Sequence, residues 1–258
     1  MSVEHGIRRR TAVSGHLSVI DAAETPRGGV VLLHEAFGVT PHIVSVGERF
    51  AAAGWTTVIP HLYHRSGSPT FSYDVAQGEG VDDRRPAAEE AAGRAIGPHA
   101  LQLTEAGVMA DVDDAVDTLA ARGITTERIG LVGFCFGGSV ALYASCVRAV
   151  GAAVAFYGAG IDEPHFAVPS FTSVAARRRT PLLGMYGALD RWIPEADVDV
   201  LEAALSLSDS PGGVVRFPAA GHGFHCDVRT TYEPGSAAQA WSTTLAWFER
   251  HAGTEQPR

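Results

Sequence analysis

The sequence contains no lysine. All 20 of its basic residues are arginines, in a chain of 258 residues. The absence excludes mechanisms that need a lysine side chain, including Schiff-base catalysis, pyridoxal phosphate attachment, the Walker A nucleotide loop and Ser-x-x-Lys acyl enzymes. A fixed positive charge that binds a ligand must therefore be an arginine, whose planar guanidinium suits two-point binding of a carboxylate.

Charge and cysteine are also scarce. Only 19% of the residues are charged and the net charge is -9, which argues against non-specific binding to nucleic acid or to an anionic membrane. The three cysteines, Cys135, Cys146 and Cys226, are too few for a disulfide framework. No N-terminal segment has the features of a secretion signal, so we expect a cytoplasmic protein. The length and the 46% hydrophobic content fit one large domain or two small ones with a substantial core. Because the sequence shows no internal repeat and no interdomain linker, we expect a single domain, residues 1–258.

One uncharged segment, residues 129–147, is long enough to cross a membrane. It contains four glycines, and a second apolar run follows it closely at residues 149–157. A buried strand, a turn, a helix and another strand produce the same hydropathy. We therefore interpret the segment as the centre of an α/β domain and not as a membrane span.

Short apolar runs typical of buried strands alternate along the chain with segments that favour helices. This alternation predicts an α/β fold with a mostly parallel central sheet and helices on both faces. A hairpin is predicted from residues 3–10 and 15–22, around a turn at Ser14-Gly15. Strands are predicted at 29–34, 56–59, 128–134, 149–156, 181–186 and 214–217, and helices at 41–53, 99–122, 136–147, 194–205 and 237–251.

Residues 61–98 interrupt this alternation. The segment is rich in Gly, Pro and Asp, and a short helix is predicted near residues 87–94. Long excursions in compact domains are often functional, so we expect this one near the active site. Residues 252–258 are expected to form a disordered tail.

The sequence GFCFGG, residues 133–138, carries the strongest chemical signal. It fits the nucleophile-elbow pattern Gly-x-Ser-x-Gly with Cys135 in place of serine, and it lies between a predicted strand and a predicted helix, as the elbow requires. The positive end of the helix would favour the Cys135 thiolate. The alternative interpretation is an inert buried cysteine in a glycine-rich turn.

Two further residues complete a triad in the order nucleophile, acid, histidine. Asp190 follows the predicted strand 181–186, and His222 follows the predicted strand 214–217. Because the carboxyl ends of parallel strands meet at one edge of a sheet, Cys135, Asp190 and His222 are expected to converge there. Singly, Asp190 fits a turn residue and His222 a structural histidine, but the shared order and placement favour catalysis.

Three other functions are considered. A metal site built from His222, His225 and Cys226 would need a local helix that the sequence does not indicate. Nucleotide binding at the elbow fails because the glycines do not fit Gly-x-Gly-x-x-Gly and the Walker lysine is missing. A non-catalytic binding protein could keep the same fold, although no member of the triad is absent.

A carboxylate lies in the loop where this kind of site usually supplies a backbone donor. Glu35 follows the predicted strand 29–34, in the sequence HEAFGV. The combination of HEAFGV, HLYHR, GFCFGG, a Gly-x-x-Asp after a strand, and GHGF resembles the dienelactone hydrolase family of α/β-hydrolases. The resemblance extends over most of the chain.

The resemblance implies a carboxylic ester hydrolase that cleaves an ester or lactone through a thioester. Cys135, Asp190 and His222 would form the triad, and Glu35 would bond the resting thiol and release it when substrate arrives. The oxyanion hole would be the backbone N–H groups of Phe136 and Ala36. It implies no cofactor, no metal and a small-molecule substrate, and we expect a monomer.

The sequence departs from the family where substrate is bound. The family holds the substrate carboxylate with an arginine four residues after the active histidine, and here that position is Cys226. Arg229 is close but out of register. A second arginine of the family comes from the excursion, where Arg84 or Arg85 could match it. A broad carboxylesterase acting on neutral esters therefore remains the alternative to a dienelactone-like enzyme.

Overall fold

The computed structural model describes residues 11–73 and 85–253. They form an eight-stranded sheet with the spatial order β1-β2-β4-β3-β5-β6-β7-β8. The strands are β1 (Thr11–Ser14), β2 (Leu17–Ile20), β3 (Gly28–Leu33), β4 (Trp55–Pro60), β5 (Ile129–Phe134), β6 (Ala152–Phe156), β7 (Leu182–Gly187) and β8 (Gly212–Phe217). Strands β3 to β8 are parallel, and β1 and β2 add an antiparallel edge.

The central strands are buried on both faces, as their continuous apolar sequences predict. Every residue of β3, β5, β6 and β7 is buried. The helices are α1 (Pro41–Ala52), α2 (Arg85–Ala100), α3 (Glu105–Ala120), α4 (Phe136–Val147), α5 (Glu195–Leu205) and α6 (Pro234–His251).

Two glycines show that helices cover both faces of the sheet. Gly29 pairs in register with Ile129, so Gly130 on the neighbouring strand points to the opposite face. Gly29 packs on Leu119 of α3, and Gly130 packs on Phe248 of α6. The absent side chains let each helix approach the sheet closely. The expected arrangement, a mostly parallel sheet between helical layers, is therefore present.

The predicted helix 99–122 is wrong, because the chain forms two helices there. Helix α2 ends at Ala100 and α3 begins at Glu105. The Thr104 side chain accepts a hydrogen bond from the N–H of Gly107 and caps the start of α3. The predicted short helix at 87–94 is the middle of the longer α2, which also contains Pro98.

Other strand and helix boundaries differ by a few residues from those predicted. Strand β6 begins at Ala152 because Gly151 lies in a turn, where its N–H bonds to the Thr126 carbonyl. Helix α6 begins at Pro234, three residues early, because the Glu233 carboxylate caps it through the N–H groups of Gly235 and Ser236. The predicted strand 3–10 lies outside the described residues. The hairpin partner of β2 is β1, immediately before the predicted turn.

Residues 129–147 form β5 and α4, as the interpretation as an α/β core segment predicts. Among the described residues, no helix combines the length and apolarity needed to cross a membrane.

Candidate active site

Cys135 lies between β5 and α4, at the turn that the elbow motif predicts. Its backbone has φ 53° and ψ −115°, a left-handed conformation that is rare for residues other than glycine. Its N–H donates to the Phe156 carbonyl of the next strand, at 3.0 Å. The strained turn therefore fixes Cys135 between the strand and the helix N-terminus, with its side chain half-buried.

The glycines of the motif make this turn possible. A Cβ atom at Gly133 would lie 1.9 Å from the Gly137 carbonyl oxygen, and one at Gly137 would lie 2.2 Å from the Leu33 carbonyl oxygen. At Gly138 it would lie 2.6 Å from the Phe156 carbonyl oxygen. These contacts are with backbone, which cannot move aside as a flexible side chain could. Any side chain at these positions would displace Cys135.

His222 and Asp190 meet as the sequence predicts. The His222 Nδ1 atom lies 2.9 Å from Asp190 Oδ2. The other carboxylate oxygen, Oδ1, accepts the backbone N–H groups of Trp192 at 2.8 Å and Ile193 at 3.1 Å. The carboxylate is thus fixed by its own turn, and it orients the His222 ring so that the second nitrogen, Nε2, is available to Cys135.

Cys135 lies within electrostatic range of His222. Burial lowers the pKa of His222, but the interaction with Cys135 and the hydrogen bond to Asp190 outweigh it and raise this pKa to about 10. The raised pKa favours the protonated imidazole. An imidazolium beside a cysteine is the arrangement that activates a thiol as a nucleophile.

The other two thiols lie in different environments. Cys146 on α4 and Cys226 after His222 are both buried, whereas Cys135 is half-buried. Burial raises the pKa of Cys146 to about 11 and that of Cys226 to about 12. Both therefore remain uncharged at neutral pH, which is the property of inert packing cysteines.

Glu35 is fully buried and is held from two sides. Its Oε2 atom accepts the Tyr73 hydroxyl at 2.6 Å, and its Oε1 atom lies 3.5 Å from Arg229 Nη1. No hydrogen bond joins Glu35 to Cys135 within the part of the chain that the structure describes. The side chains beside the carboxylate are thus Tyr73 and Arg229, instead of the resting thiol that the resemblance implies.

His34 fixes the loop that carries Glu35. Its ring lies between the Glu35 carbonyl oxygen, 2.7 Å from Nδ1, and the Leu62 N–H, which donates to Nε2 over 3.1 Å. Burial lowers the pKa of His34 to about 4, so the ring is neutral and can both donate and accept. The Tyr63 hydroxyl donates to the Ala36 carbonyl at 3.1 Å. Leu62 and Tyr63 of the excursion therefore support the loop that carries Glu35 and Ala36.

Phe136 and Ala36, which the resemblance implies as oxyanion donors, follow two adjacent strands of the sheet. Phe136 is the first residue of α4, where a backbone N–H has no acceptor within the helix. Ala36 follows Glu35 at the end of β3, and β3 pairs directly with the elbow strand β5. Both N–H groups come from the carboxyl edge of adjacent strands, which is the edge where Cys135 lies.

The structure describes the candidate substrate-binding arginines to different extents. Arg84 lies outside the described residues, and Arg85 begins α2 with a side chain that is not described. Arg229, out of register in sequence, is buried beside Glu35 with its guanidinium over the Phe37 and Tyr73 rings. A Cβ atom at Gly223 would lie 2.6 Å from Arg229 Nη1, so this glycine makes room for the side chain.

Three residues of the site region carried no sequence signal. Tyr157 follows β6 with φ 38°, its ring centroid 5.0 Å from that of His222. His165 bonds to Ser139 of α4 at 2.7 Å, and burial lowers its pKa to about 4. Phe166, with φ 50°, packs its ring 5.0 Å from Phe136. The sequence signal in this segment was its glycines. They indicate a loop, but they do not show that the loop lies near the site.

The alternative metal site does not form. His225 is buried against Phe134 and Phe156, with ring centroids about 5 Å apart, while His222 bonds to Asp190. Within the described ranges, the group with metal-compatible spacing is His16, His64 and Asp111. It lies elsewhere, and Arg65 already pairs with both carboxylate oxygens of Asp111.

The sheet order, the elbow after the fifth strand and the order Cys135, Asp190, His222 define an α/β-hydrolase fold, which confirms the predicted fold class. The dienelactone hydrolase family model matches residues 16–252, and the chain belongs to that family. The resemblance drawn from the motifs is thereby confirmed. Family membership makes the protein an enzyme of the carboxylic ester hydrolase class, active on esters or lactones.

Individual relatives agree with this assignment. A Synechocystis protein named "Putative carboxymethylenebutenolidase" is 33% identical over 223 residues, which cover 85% of this chain and 85% of that protein. A Rhodococcus opacus protein named carboxymethylenebutenolidase is 28% identical over 229 residues, 86% of this chain and 81% of that one. The crystal structure titled "Putative Dienelactone Hydrolase" from Klebsiella pneumoniae has a TM-score of 0.75 and 29% identity, and covers 91% of this chain and 92% of that one.

Proposed function

We propose that the protein hydrolyses an ester or lactone through a Cys135-His222-Asp190 triad and a thioester intermediate. The observation that carries this proposal is the position of His222, whose Nδ1 atom lies 2.9 Å from Asp190 Oδ2 and whose ring lies within electrostatic range of Cys135. This arrangement at a strand-to-helix elbow matches the geometry of an activated nucleophile.

In the first half of the reaction, the Cys135 thiolate attacks the carbonyl carbon of the substrate. A C–S bond forms and the carbonyl π electrons move to the oxygen, giving a tetrahedral oxyanion. When the intermediate collapses, the C–O bond to the leaving group breaks and protonated His222 gives its proton to the departing oxygen. The acyl group then remains on Cys135 as a thioester.

Phe136 and Ala36 supply the oxyanion hole in this proposal. Their backbone N–H groups would bind the developing negative charge on the substrate oxygen, at the N-terminus of α4 and the end of β3. A donor of this kind contributes about 3 kcal/mol of transition-state stabilisation.

In the second half of the reaction, His222 must act as a base. Acylation of Cys135 makes this possible by lowering the His222 pKa. The charge of the Cys135 thiolate is the strongest of the influences that raise the pKa of His222. Once the sulfur is acylated that charge is gone, so the His222 pKa falls and the ring can take a proton from water. Hydroxide then adds to the thioester carbonyl, the C–S bond breaks, and the product acid and the Cys135 thiolate are released.

Glu35 acts on the site through its charge. Its charge contributes to a raised pKa at both Tyr157 and Cys226, so it lies within electrostatic range of these groups. Tyr157 also lies in range of Cys135. We propose that Arg229 and Tyr73 hold the Glu35 charge in the resting enzyme, and that a shift of this carboxylate towards Cys135 adjusts the charge of the thiol during turnover.

The relatives named carboxymethylenebutenolidase act on a lactone by name, which supports a lactone or enol ester as the substrate class here. A broader carboxylesterase would use the same triad. The cytoplasmic location, the monomeric state and the single-domain organisation stay predictions.

Asp190→Asn tests the triad. The amide oxygen can still accept the N–H groups of Trp192 and Ile193, so the turn and the fold should persist. The amide N–H₂ would instead face His222 Nδ1 and force the tautomer that cannot accept a proton from Cys135. We expect kcat for an aryl ester to fall about 1,000-fold or more, with KM changed little.

Asp209→Asn, at an exposed position far from His222, is the matched control and should keep full activity. Thermal unfolding of both variants verifies that the fold is intact. An Asp190→Asn protein that retains a tenth or more of the wild-type kcat would refute the triad.

A further inference from the structure

An open cleft of about 600 Å³ adjoins the triad on the side of Asp190 and His222. Both residues form part of its wall. Cys135 is not part of its lining, so His222 is the residue that the cleft shares with the nucleophile's site. A group bound in the cleft would therefore contact the site through the catalytic histidine.

The leaving group of the substrate would lie at that location. In the proposed reaction His222 gives its proton to the departing oxygen, which must then lie within hydrogen-bond distance of the ring. The rest of the leaving group extends away from that oxygen. A cleft that begins at His222 is the available space for it.

The cleft exposes large apolar side chains. Leu189 is 62% exposed, Trp192 55% and Tyr232 40%. Side chains of this size are mostly buried in proteins, and a cluster of exposed ones beside a catalytic group marks a binding surface. Two of the three are aromatic, so the surface suits a flat, apolar leaving group.

The same cleft holds a cation without a partner. Arg191 lines it, and the Arg191 side chain makes no ion pair or hydrogen bond within residues 11–73 and 85–253. The carboxylate of Glu233, also in the lining, is occupied by the N–H groups of Gly235 and Ser236 at the start of α6. The Arg191 guanidinium, in a cleft that Trp192 and Tyr232 also line, is therefore available to an anionic group.

The backbone of Arg191 lies in the turn that the Asp190 carboxylate stabilises. The carboxylate oxygen of Asp190 that does not bond to His222 accepts the N–H groups of Trp192 and Ile193. Arg191 and Trp192 thus belong to the turn that orients the histidine, and their backbone positions are fixed relative to it. Arg229 cannot serve the same purpose, since it is buried beside Glu35.

We propose that Arg191, together with the Trp192 and Tyr232 rings, selects esters whose leaving group is aromatic and carries a negative charge. This inference rests on the proposed function, because it assigns the leaving-group end of the same reaction. It also answers which arginine could recognise an anion when Cys226 stands at the position where the family has one.

The test compares two substrates with the same acyl group. The acetate ester of 4-hydroxybenzoate carries a carboxylate on its leaving ring, and the acetate ester of 4-hydroxybenzamide is its neutral counterpart. In Arg191→Gln we expect kcat/KM to fall about 10-fold for the charged ester, the size of a partly exposed charge-assisted hydrogen bond, and to stay within about two-fold for the neutral one. Arg191→Lys should recover part of the loss.

Arg177→Gln is the matched control, because Arg177 is exposed, lines a different cleft and removes the same charge. It should leave both substrates unchanged, which separates local binding from long-range attraction. Equal losses for both esters in Arg191→Gln, or no loss for either, would overturn the inference while leaving the triad intact. Failure of the wild-type protein to hydrolyse either ester would count against the proposed function as well.

Discussion

Replacing Cys135 with alanine is expected to lower kcat/KM for an aryl ester by about 10,000-fold or more. The variant keeps the fold, His222, Asp190 and the oxyanion donors, but it has no atom that can form the acyl bond. Loss of the nucleophile from a triad costs about as much as loss of the whole triad, because the three residues act as one unit. Initial rates of aryl acetate hydrolysis measure the effect.

The other two cysteines make this experiment specific. Cys146→Ala removes a buried thiol on α4 and should keep wild-type activity, apart from a small loss of stability. Cys226→Ala tests the second thiol near the active histidine. If Cys135→Ala remained active while Cys226→Ala lost activity, the nucleophile would be Cys226 and the elbow assignment would be wrong.

Acidification below pH 6.5 is expected to destabilise the protein strongly. Burial lowers the pKa of His34 to about 4, of His165 to about 4 and of His225 to about 3. In the unfolded chain these histidines titrate near 6.5. Between pH 6.5 and about 4 the unfolded state therefore binds more protons than the folded state, and stability falls as the pH falls.

The expected loss is large compared with the stability of an ordinary domain. Each of the three histidines contributes nearly 2 kcal/mol between pH 7 and pH 5, so together they remove about 5.5 kcal/mol. Domains of this kind are stable by about 5–15 kcal/mol in total. His222 offsets only about 1 kcal/mol of this loss, because the stabilisation from its raised pKa is complete below pH 6.5 and is lost as the pH rises towards 10.

His225→Phe isolates one of these contributions. The His225 ring lies among Phe134, Phe156 and Trp241, and neither ring nitrogen has a hydrogen-bond partner among the described residues. A phenyl ring fits among these rings, beside His42 at 5.7 Å between ring centroids, and cannot take a proton. The free energy of unfolding, measured by denaturant at pH 7 and pH 5, should fall about 2 kcal/mol less in the variant than in the wild type. An unchanged pH dependence would contradict the assignment.

The residues of the proposed triad could be found in the sequence because their signals are local. GFCFGG combines a strand end, glycines that only a tight turn needs, and one nucleophile, and the carboxyl edge of a parallel sheet brings Asp190 and His222 to the same place. The elbow glycines fit this explanation, since each of them lies against backbone. The parallel pairing of β3, β5 and β6 fits the alternation of strands and helices in the sequence.

The neighbours of Glu35 could not be predicted, because they come from distant segments. Tyr73 and Arg229 are separated from Glu35 by 38 and 194 residues in the sequence. The comparison with the family counted four residues from His222 to Cys226 and did not allow for the loop between Cys226 and Arg229. Gly223 was the available signal, since its missing side chain leaves space for Arg229. The wrong helix at 99–122 had a different and local cause, because the cap at Thr104 outweighed a continuous helical composition.

Detection of the acyl group on Cys135 tests the central claim most directly. An aryl ester has a good leaving group, so acylation is fast and the thioester should accumulate before water removes it. After rapid acid quenching, the mass of the protein should rise by one acyl group, and peptide mapping should place that group on Cys135 and show that neutral hydroxylamine removes it. Turnover with no acyl group on Cys135, or with the acyl group on another residue, would contradict the account.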